Sequence, residues 1–194
     1  MNHEVQKIIA ERMPEVYAFR ETLSPETDRG CALMAAAYLD DQLSALLAKC
    51  FVEDNAVQQE IFSNSGPLGT FSSRIDLAYL LGLIPQRVRR ELHLIRKIRN
   101  DFGHNPQPIG FESDAIANRC KELNLSFREQ IAKPRSHFTS SVLGVLALIH
   151  VAIKHREAPQ SASDIQVTEK MKQTAKTIAE EGGDLLLDLL ENEP

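Results

Sequence analysis

The sequence predicts an all-α protein: a multi-helix bundle with a buried central helix and a C-terminal amphipathic helix broken at Gly182-Gly183. Three observations point there. Along the 194 residues, apolar side chains recur at three- and four-residue spacing, and no stretch alternates with period two for long enough to make a strand. The longest apolar stretch, Val142 to Ile153, is interrupted only by His150. It is short against the roughly 20 residues a bilayer crossing needs and reads as a core helix. Helix-stopping signals fall between the periodic segments, most clearly at Asn64-Ser65-Gly66-Pro67-Leu68-Gly69-Thr70.

Taken in order, residues 3 to 22 read as one or two short helices punctuated at Pro14. After Ser24-Pro25 a long helix is expected from about Glu26 to about Val52, with Ala32, Ala36, Leu39, Leu43, Leu46 and Cys50 on one stripe. The small residues Ala32 and Ala35 to Ala37 let a neighbouring helix approach closely. Thr70 or Ser72 can cap the next helix, Phe71 to Leu83, which is apolar on most sides and so expected to be largely buried. Pro85 suits the start of a basic helix that must end by Asn105, because Pro106 and Pro108 follow. Residues 112 to 124 form a shorter helix, Pro134 opens the core helix that ends near Glu157, and Pro159 to Ser163 is a small polar linker. The final amphipathic segment runs from Ile165 to Glu191. Its Leu185, Leu186, Leu187, Leu189 and Leu190 need a surface, either elsewhere in the chain or on a partner subunit. The expected organisation is one helical domain: an N-terminal helical segment (1–24), a core (25–157) and a C-terminal amphipathic arm (161–194).

Composition narrows the function. With 22 basic and 27 acidic residues the net charge is −5, which argues against coating nucleic acid by bulk electrostatics. Charge is nevertheless polarised: residues 85–105 carry six cations and two carboxylates, whereas 161–194 carry three lysines and eight carboxylates. Cys31, Cys50 and Cys120 are widely spaced, without Cys-x-x-Cys or zinc-ligand spacing, and read as reduced cytosolic thiols. The N-terminal residues lack the pattern of a secretory signal. No metal site, cofactor or membrane segment is expected, and no phosphate-binding glycine loop or catalytic triad is present.

The basic helix holds the candidate site. At about 100° per residue, Val88, Leu92, Ile95 and Phe102 share a narrow face, and Arg99 projects into its middle. An unpaired guanidinium in the core would cost roughly 3 to 5 kcal/mol. Arg99 therefore needs an acid such as Asp28, Asp40 or Asp76, or a cleft. Arg87, Arg89, Arg90, Arg96 and Lys97 form a basic surface, with Arg89 and Arg96 on nearly the same side as a short ridge that could bind phosphates or an acidic protein, although no helix-turn-helix pattern precedes it. The candidate binding residues are Arg89, Arg96, Lys97, Arg99 and His104. The segment Arg99-Asn100-Asp101-Phe102-Gly103-His104 also resembles the Arg-x4-His motif of HEPN-type helical domains. In active members of that superfamily two such motifs meet across a dimer and cut RNA without metal. By that resemblance Arg99 would stabilise phosphate charge and His104 would act as general base or acid. The alternative is structural: Arg99 as an internal ion-pair partner and His104 at the helix C-terminus, favoured there by the dipole.

Three segments together resemble the mannitol operon repressor family of bacteria. They are Asp28-Arg29-Gly30-Cys31-Ala32 continuing into Leu39-Asp40-Asp41-Gln42-Leu43, then Gly66-Pro67-Leu68-Gly69-Thr70-Phe71-Ser72-Ser73-Arg74-Ile75, then Ile95-Arg96-Lys97-Ile98-Arg99-Asn100-Asp101-Phe102-Gly103-His104. The resemblance spans about residues 20 to 160. It implies a cytoplasmic, all-helical, noncatalytic regulator that represses mannitol uptake and utilisation genes. The acidic composition and the missing reading helix add the expectation that repression runs through a protein or nucleic-acid partner rather than unaided operator reading. Homo-oligomerisation through the C-terminal segment is also anticipated. The competing reading is a HEPN-like RNA-binding domain or metal-independent ribonuclease using Arg99 and His104.

Overall fold

The computed structural model describes residues 3–126, 133–164 and 166–191, the side chains at 3–6, 8, 9 and 183–191 excepted. The described residues form helices without strands: α1 (His3–Leu23), α2 (Asp28–Ala48), α3 (Asn55–Phe62), α4 (Phe71–Leu80), α5 (Gln86–His104), α6 (Asp114–Lys121), α7 (Pro134–Lys154) and α8 (Glu169–Glu191). They divide into two compact units, one up to Gln160 and one from Ser161 onward. In the first unit α7 touches α1, α2, α5 and α6, which makes it the central helix the sequence anticipates.

The helix starts follow from local chemistry. Thr27 accepts the Gly30 amide at 3.0 Å and Asp54 accepts the amides of Ala56 and Val57 at 3.0 and 3.1 Å. Thr70 and Ser73 form a reciprocal capping box. α2 and α7 are each 21 residues long and apolar enough, by length and composition alone, to cross a membrane. Both contribute fully buried side chains to the core, Leu39, Leu43 and Leu46 from α2 and Phe138, Val142 and Val145 from α7. The core includes an aromatic cluster in which Phe111 meets Phe102 and Phe138 at ring centroids 5.0 and 5.1 Å apart, all three buried, and Phe19 stacks on Tyr38.

Three expectations are corrected, and one helix is added. Residues 3–23 form one helix, with Pro14 inside it. Pro14 is exposed and its break in the hydrogen-bond ladder lies on the solvent side, while Val16, Phe19 and Leu23 bury on the other; that packing outweighs a helix-interior proline cost of about 3 kcal/mol. α4 is shorter and less buried than its composition suggests. Only Ile75 and Ala78 are fully enclosed, and Leu80 is 77% exposed, because this short helix packs on α2 and α5 and turns its end outward. α3, which periodicity did not reveal, is two turns long and has no fully buried residue. Finally, α8 runs unbroken through Gly182-Gly183. Two glycines weaken a helix by about 1 kcal/mol each relative to alanine without stopping it. The expectation for Leu185, Leu186, Leu187, Leu189 and Leu190 concerns side chains outside the described set, as does Ile165.

The core contains a buried carboxylate. Glu91 of α5 is 2% exposed, and its Oε1 accepts the backbone amides of Asn124 and Leu125 at 2.7 and 2.9 Å and the hydroxyl of Ser141 on α7. This one oxygen joins α5, the segment after α6 and the central helix. α7 comes close enough for this through Gly144, where a Cβ would collide with the Leu125 carbonyl oxygen. Burial also holds the thiols of Cys31 and Cys120 up at about 11 and about 12, so both behave as small apolar core residues.

Replacing Glu91 by leucine leaves two part-buried amides and the buried hydroxyl of Ser141 without their acceptor. It should lower the unfolding free energy by about 3 kcal/mol in urea melts. A pH effect is expected at His150, 6% exposed, whose Nε2 lies 3.1 Å from Gln42 Oε1. Burial lowers its pKa, outweighing the opposing pull of Glu15, and Arg12 adds to the lowering. The folded state therefore holds this proton less tightly than the unfolded chain, and stability falls as pH drops below the unfolded value of about 6.5. Melts at about pH 7 and pH 5 should show that loss in the wild type and a smaller one in His150→Gln.

Candidate functional site

The rotational setting of α5 decides which of its charges reach solvent. Val88, Glu91, Leu92, Leu94, Ile95, Ile98 and Phe102 are buried. Including Glu91, Leu94 and Ile98 shifts the centre of the inward face by roughly 40° from where Val88, Leu92, Ile95 and Phe102 alone would put it. Arg99 consequently lies at the edge of that face. It is exposed, and its guanidinium donates to Oδ1 of the adjacent Asn100 at 2.9 Å. The expected burial of Arg99 against an acid is thus corrected: a long side chain near the rim reaches water at little cost. The charge in the core is Glu91.

The three acids considered for Arg99 serve other cations. Asp28 accepts Arg135 at 3.0 Å and the Phe111 amide at 2.9 Å. Arg135 also donates to the carbonyls of Leu23, Ser24 and Glu26, while Arg29 donates to those of Asn105 and Gln107. The start of α2 is thereby clasped to α7 and to the loop after α5. Asp40 pairs with Arg74 at 2.7 Å; Arg74 also donates to the carbonyls of Leu68 and Phe62, fastening the glycine-proline loop. Asp76 pairs with Arg89 at 2.7 Å and with His93 at 3.1 Å. The hydrogen bond from His93, and then that from Arg89, holds the Asp76 carboxyl below the usual carboxylate range.

These pairings redraw the ridge. Arg89 is committed to Asp76 and lies over the Tyr79 ring at 5.3 Å. Arg96 is partly buried, and its Nε is enclosed without a hydrogen-bond partner among the described residues. Lys97 is exposed. Arg90 and His104 are exposed too, and they lie seven residues either side of Lys97. On a helix that spacing makes one stripe, with a drift of about 20° per seven residues and a length of about 21 Å. Arg90 belongs to the basic surface expected from the sequence but not to the five candidate binding residues; its seven-residue spacing from Lys97 is the signal that places it on the stripe.

His104, the last residue of α5, also borders a cleft of about 660 Å³ between α5, the following loop and α6. Asp101 and Arg119, in contact as an ion pair, form its polar side, and Ile109 and Ile116 its apolar side. The cleft is a place for a side chain to anchor, bordered by cationic charge. Arg99 and His104 are not brought together within one chain: five residues apart on a helix, they point about 140° from each other. Among the described residues no group of three or more His, Cys, Asp or Glu side chains is arranged to hold a metal ion.

Comparison with known proteins places this arrangement in a family. A family model described as "Mannitol repressor" matches residues 18–175. The mannitol operon repressor of Escherichia coli strain K12 is 27% identical over 103 residues, covering 51% of this chain and 53% of the relative. The corresponding repressor of Escherichia coli O6:H1 strain CFT073 gives the same figures. The chain thus spans about half the length of these curated relatives in the aligned region. A chain of the X-ray structure of the MtlR-HPr complex from Escherichia coli shares the fold, with a TM-score of 0.54 and 20% identity over 75% of this chain and 98% of that one. With most of its length inside the family model, the chain belongs to the mannitol repressor family.

Proposed function

We propose that this chain is a cytoplasmic, noncatalytic regulator that represses mannitol uptake and utilisation genes by docking on a protein partner. The observation that carries the reading is the outward stripe Arg90, Lys97 and His104 on α5. Its two cations have no ion-pair partner among the described residues, whereas Arg89 is already paired. A short positive line beside a partly apolar cleft suits an acidic protein surface with one apolar anchor. It suits an operator poorly: the net charge is −5, and α5 buries a whole face in the core instead of presenting a free reading helix. The related structure is described as a complex with HPr, which supports a protein in this role.

In this reading Lys97 and His104 contact the partner with Arg90, while Arg99, about 160° round the helix from Lys97, adds only to the overall positive field. Arg89 and Arg96 line the edge, the former fixed by Asp76. Removing charge from the stripe weakens the complex and flattens its salt dependence.

Isothermal titration against the HPr of the same organism should give salt-dependent binding. Lys97→Glu with Arg90→Glu should weaken it by about tenfold or more, with unchanged folding by circular dichroism. Tight binding of the purified chain to the mannitol operator, with sequence preference over random DNA, would overturn the partner-mediated reading. For the ribonuclease alternative, wild type and His104→Ala incubated with mixed RNA in EDTA should both leave the RNA intact; cleavage by the wild type alone would favour an enzyme using Arg99 and His104.

A further inference from the structure

We infer that the groove between α1 and α7 is a binding site for a small open-chain polyol carrying one anionic group, a phosphate or a carboxylate. The groove encloses about 240 Å³, below the roughly 300 to 1,000 Å³ of sites for drug-sized ligands, so its occupant is a smaller molecule. It lies on other helices than the α5 stripe and does not depend on the docking reading.

The two helices run antiparallel. Arg135 at the start of α7 donates to the Leu23 carbonyl at the end of α1, and Lys154 at the end of α7 pairs with Glu11. Each helix lends the groove one face at three- and four-residue spacing. From α1 come Met13, Val16, Tyr17 and Arg20, and from α7 Ser136, Thr139, Ser140 and Leu143. The antiparallel course puts Arg20 and Ser136 at one end and Met13 and Leu143 at the other, about 10 Å apart along the helix axes. Such a channel is long and narrow, which suits an open chain better than a ring.

A contact between two long helices is ordinarily filled by apolar side chains. Beside the groove Val16, Phe19 and Leu23 do fill it. Along the groove α7 instead presents three small hydroxyl residues, and a gap remains.

Charge and hydrogen-bonding capacity are graded along that gap. Arg20 is its only charged residue among the described lining. The nearest carboxylate to that guanidinium is the adjoining Glu21 at 3.8 Å, with both side chains well exposed, a weak pair that an incoming anion can replace. Ser136 is the third residue of α7, a helix whose start has no side-chain cap. Its amide is therefore one of the unpaired first-turn donors, at the positive end of the helix dipole. The Ser136 hydroxyl also lacks a partner. A guanidinium, an amide and a hydroxyl thus converge on the end where the anionic group sits.

The middle of the groove handles hydroxyls. Ser140 accepts the hydroxyl of Ser126 at 3.0 Å, which leaves its own hydrogen to donate. Thr139 donates to the Arg135 carbonyl at 3.0 Å and keeps its lone pairs as acceptors. The Tyr17 hydroxyl, without a protein partner, can do either. Val16, Met13 and Leu143 supply an apolar wall for the carbon chain. An uncharged polyol would leave Arg20 unused, and a bare inorganic anion would leave the hydroxyls unused.

Isothermal titration of the full chain tests the proposal, with sorbitol 6-phosphate, gluconate, inorganic phosphate and sorbitol as probes. At least one of the two hydroxylated anions should bind about tenfold or more tightly than either inorganic phosphate or sorbitol; which of the two binds better identifies the anionic group. Arg20→Gln should weaken that binding about tenfold or more. Ser140→Leu, which fills the groove, should abolish it, and both variants should keep the wild-type circular dichroism. Absence of binding by both hydroxylated anions at about 10 mM, inorganic phosphate binding as tightly as either, or binding unaltered by Arg20→Gln would each overturn the proposal.

Discussion

The buried carboxylate of Glu91 sets the terms for the rest of the first unit. A carboxylate taken out of water must collect hydrogen bonds, and Glu91 collects three, two from a segment without regular structure and one from the central helix. Satisfying it requires α5 to turn its Val88–Glu91–Ile95–Ile98 side inward and α7 to press against Leu125 through Gly144. The same rotation carries Arg90, Lys97 and His104 to the surface. The cationic stripe and the internal anchor are two consequences of one angular setting, which links the energetics of the core to the chemistry available outside.

Much of this was legible in the sequence. The all-helical class, the long α2, the Thr70 cap, the start of α7 at Pro134 and the end of α5 before Pro106 follow from periodicity, capping chemistry and proline geometry, all local properties of the chain. What was not legible depends on neighbours. Periodicity puts Arg99 inside the face of α5, whereas Glu91 holds that place and Arg99 is exposed, because four apolar residues define a face only to within a few tens of degrees. Glu91, beside Val88 and Leu92, was equally visible, and its amide donors lie more than thirty residues away in a segment without periodicity. Pro14 and Gly182-Gly183 looked like breaks because local cost was weighed alone. α3 escaped notice because a two-turn helix with no buried side leaves little pattern.

The segments that carry the family resemblance form much of the framework. Asp28 and Arg29 clasp the start of α2 to Phe111, Arg135 and the carbonyls after α5. Asp40 and Arg74 bind the loop before α4 to α2. Even within the third segment, Asp101 is occupied by Arg119. These charged residues hold loops at fixed positions around a helical core, a task in which each guanidinium satisfies several carbonyls at once. Of the outward stripe of α5, Lys97 and His104 lie within the third segment and Arg90 before it, and the adjoining cleft runs from that segment to α6.

The inward setting of α5 rests on Glu91 holding the segment after α6. Amide hydrogen exchange resolved to Asn124 and Leu125 tests it most directly, because these amides sit outside any helix and their acceptor is Glu91. The account predicts protection of both amides comparable to that of core helices, lost in Glu91→Leu while the amides of α2 keep theirs under native conditions. Exchange of Asn124 and Leu125 at the rate of free peptide in the wild type would contradict it.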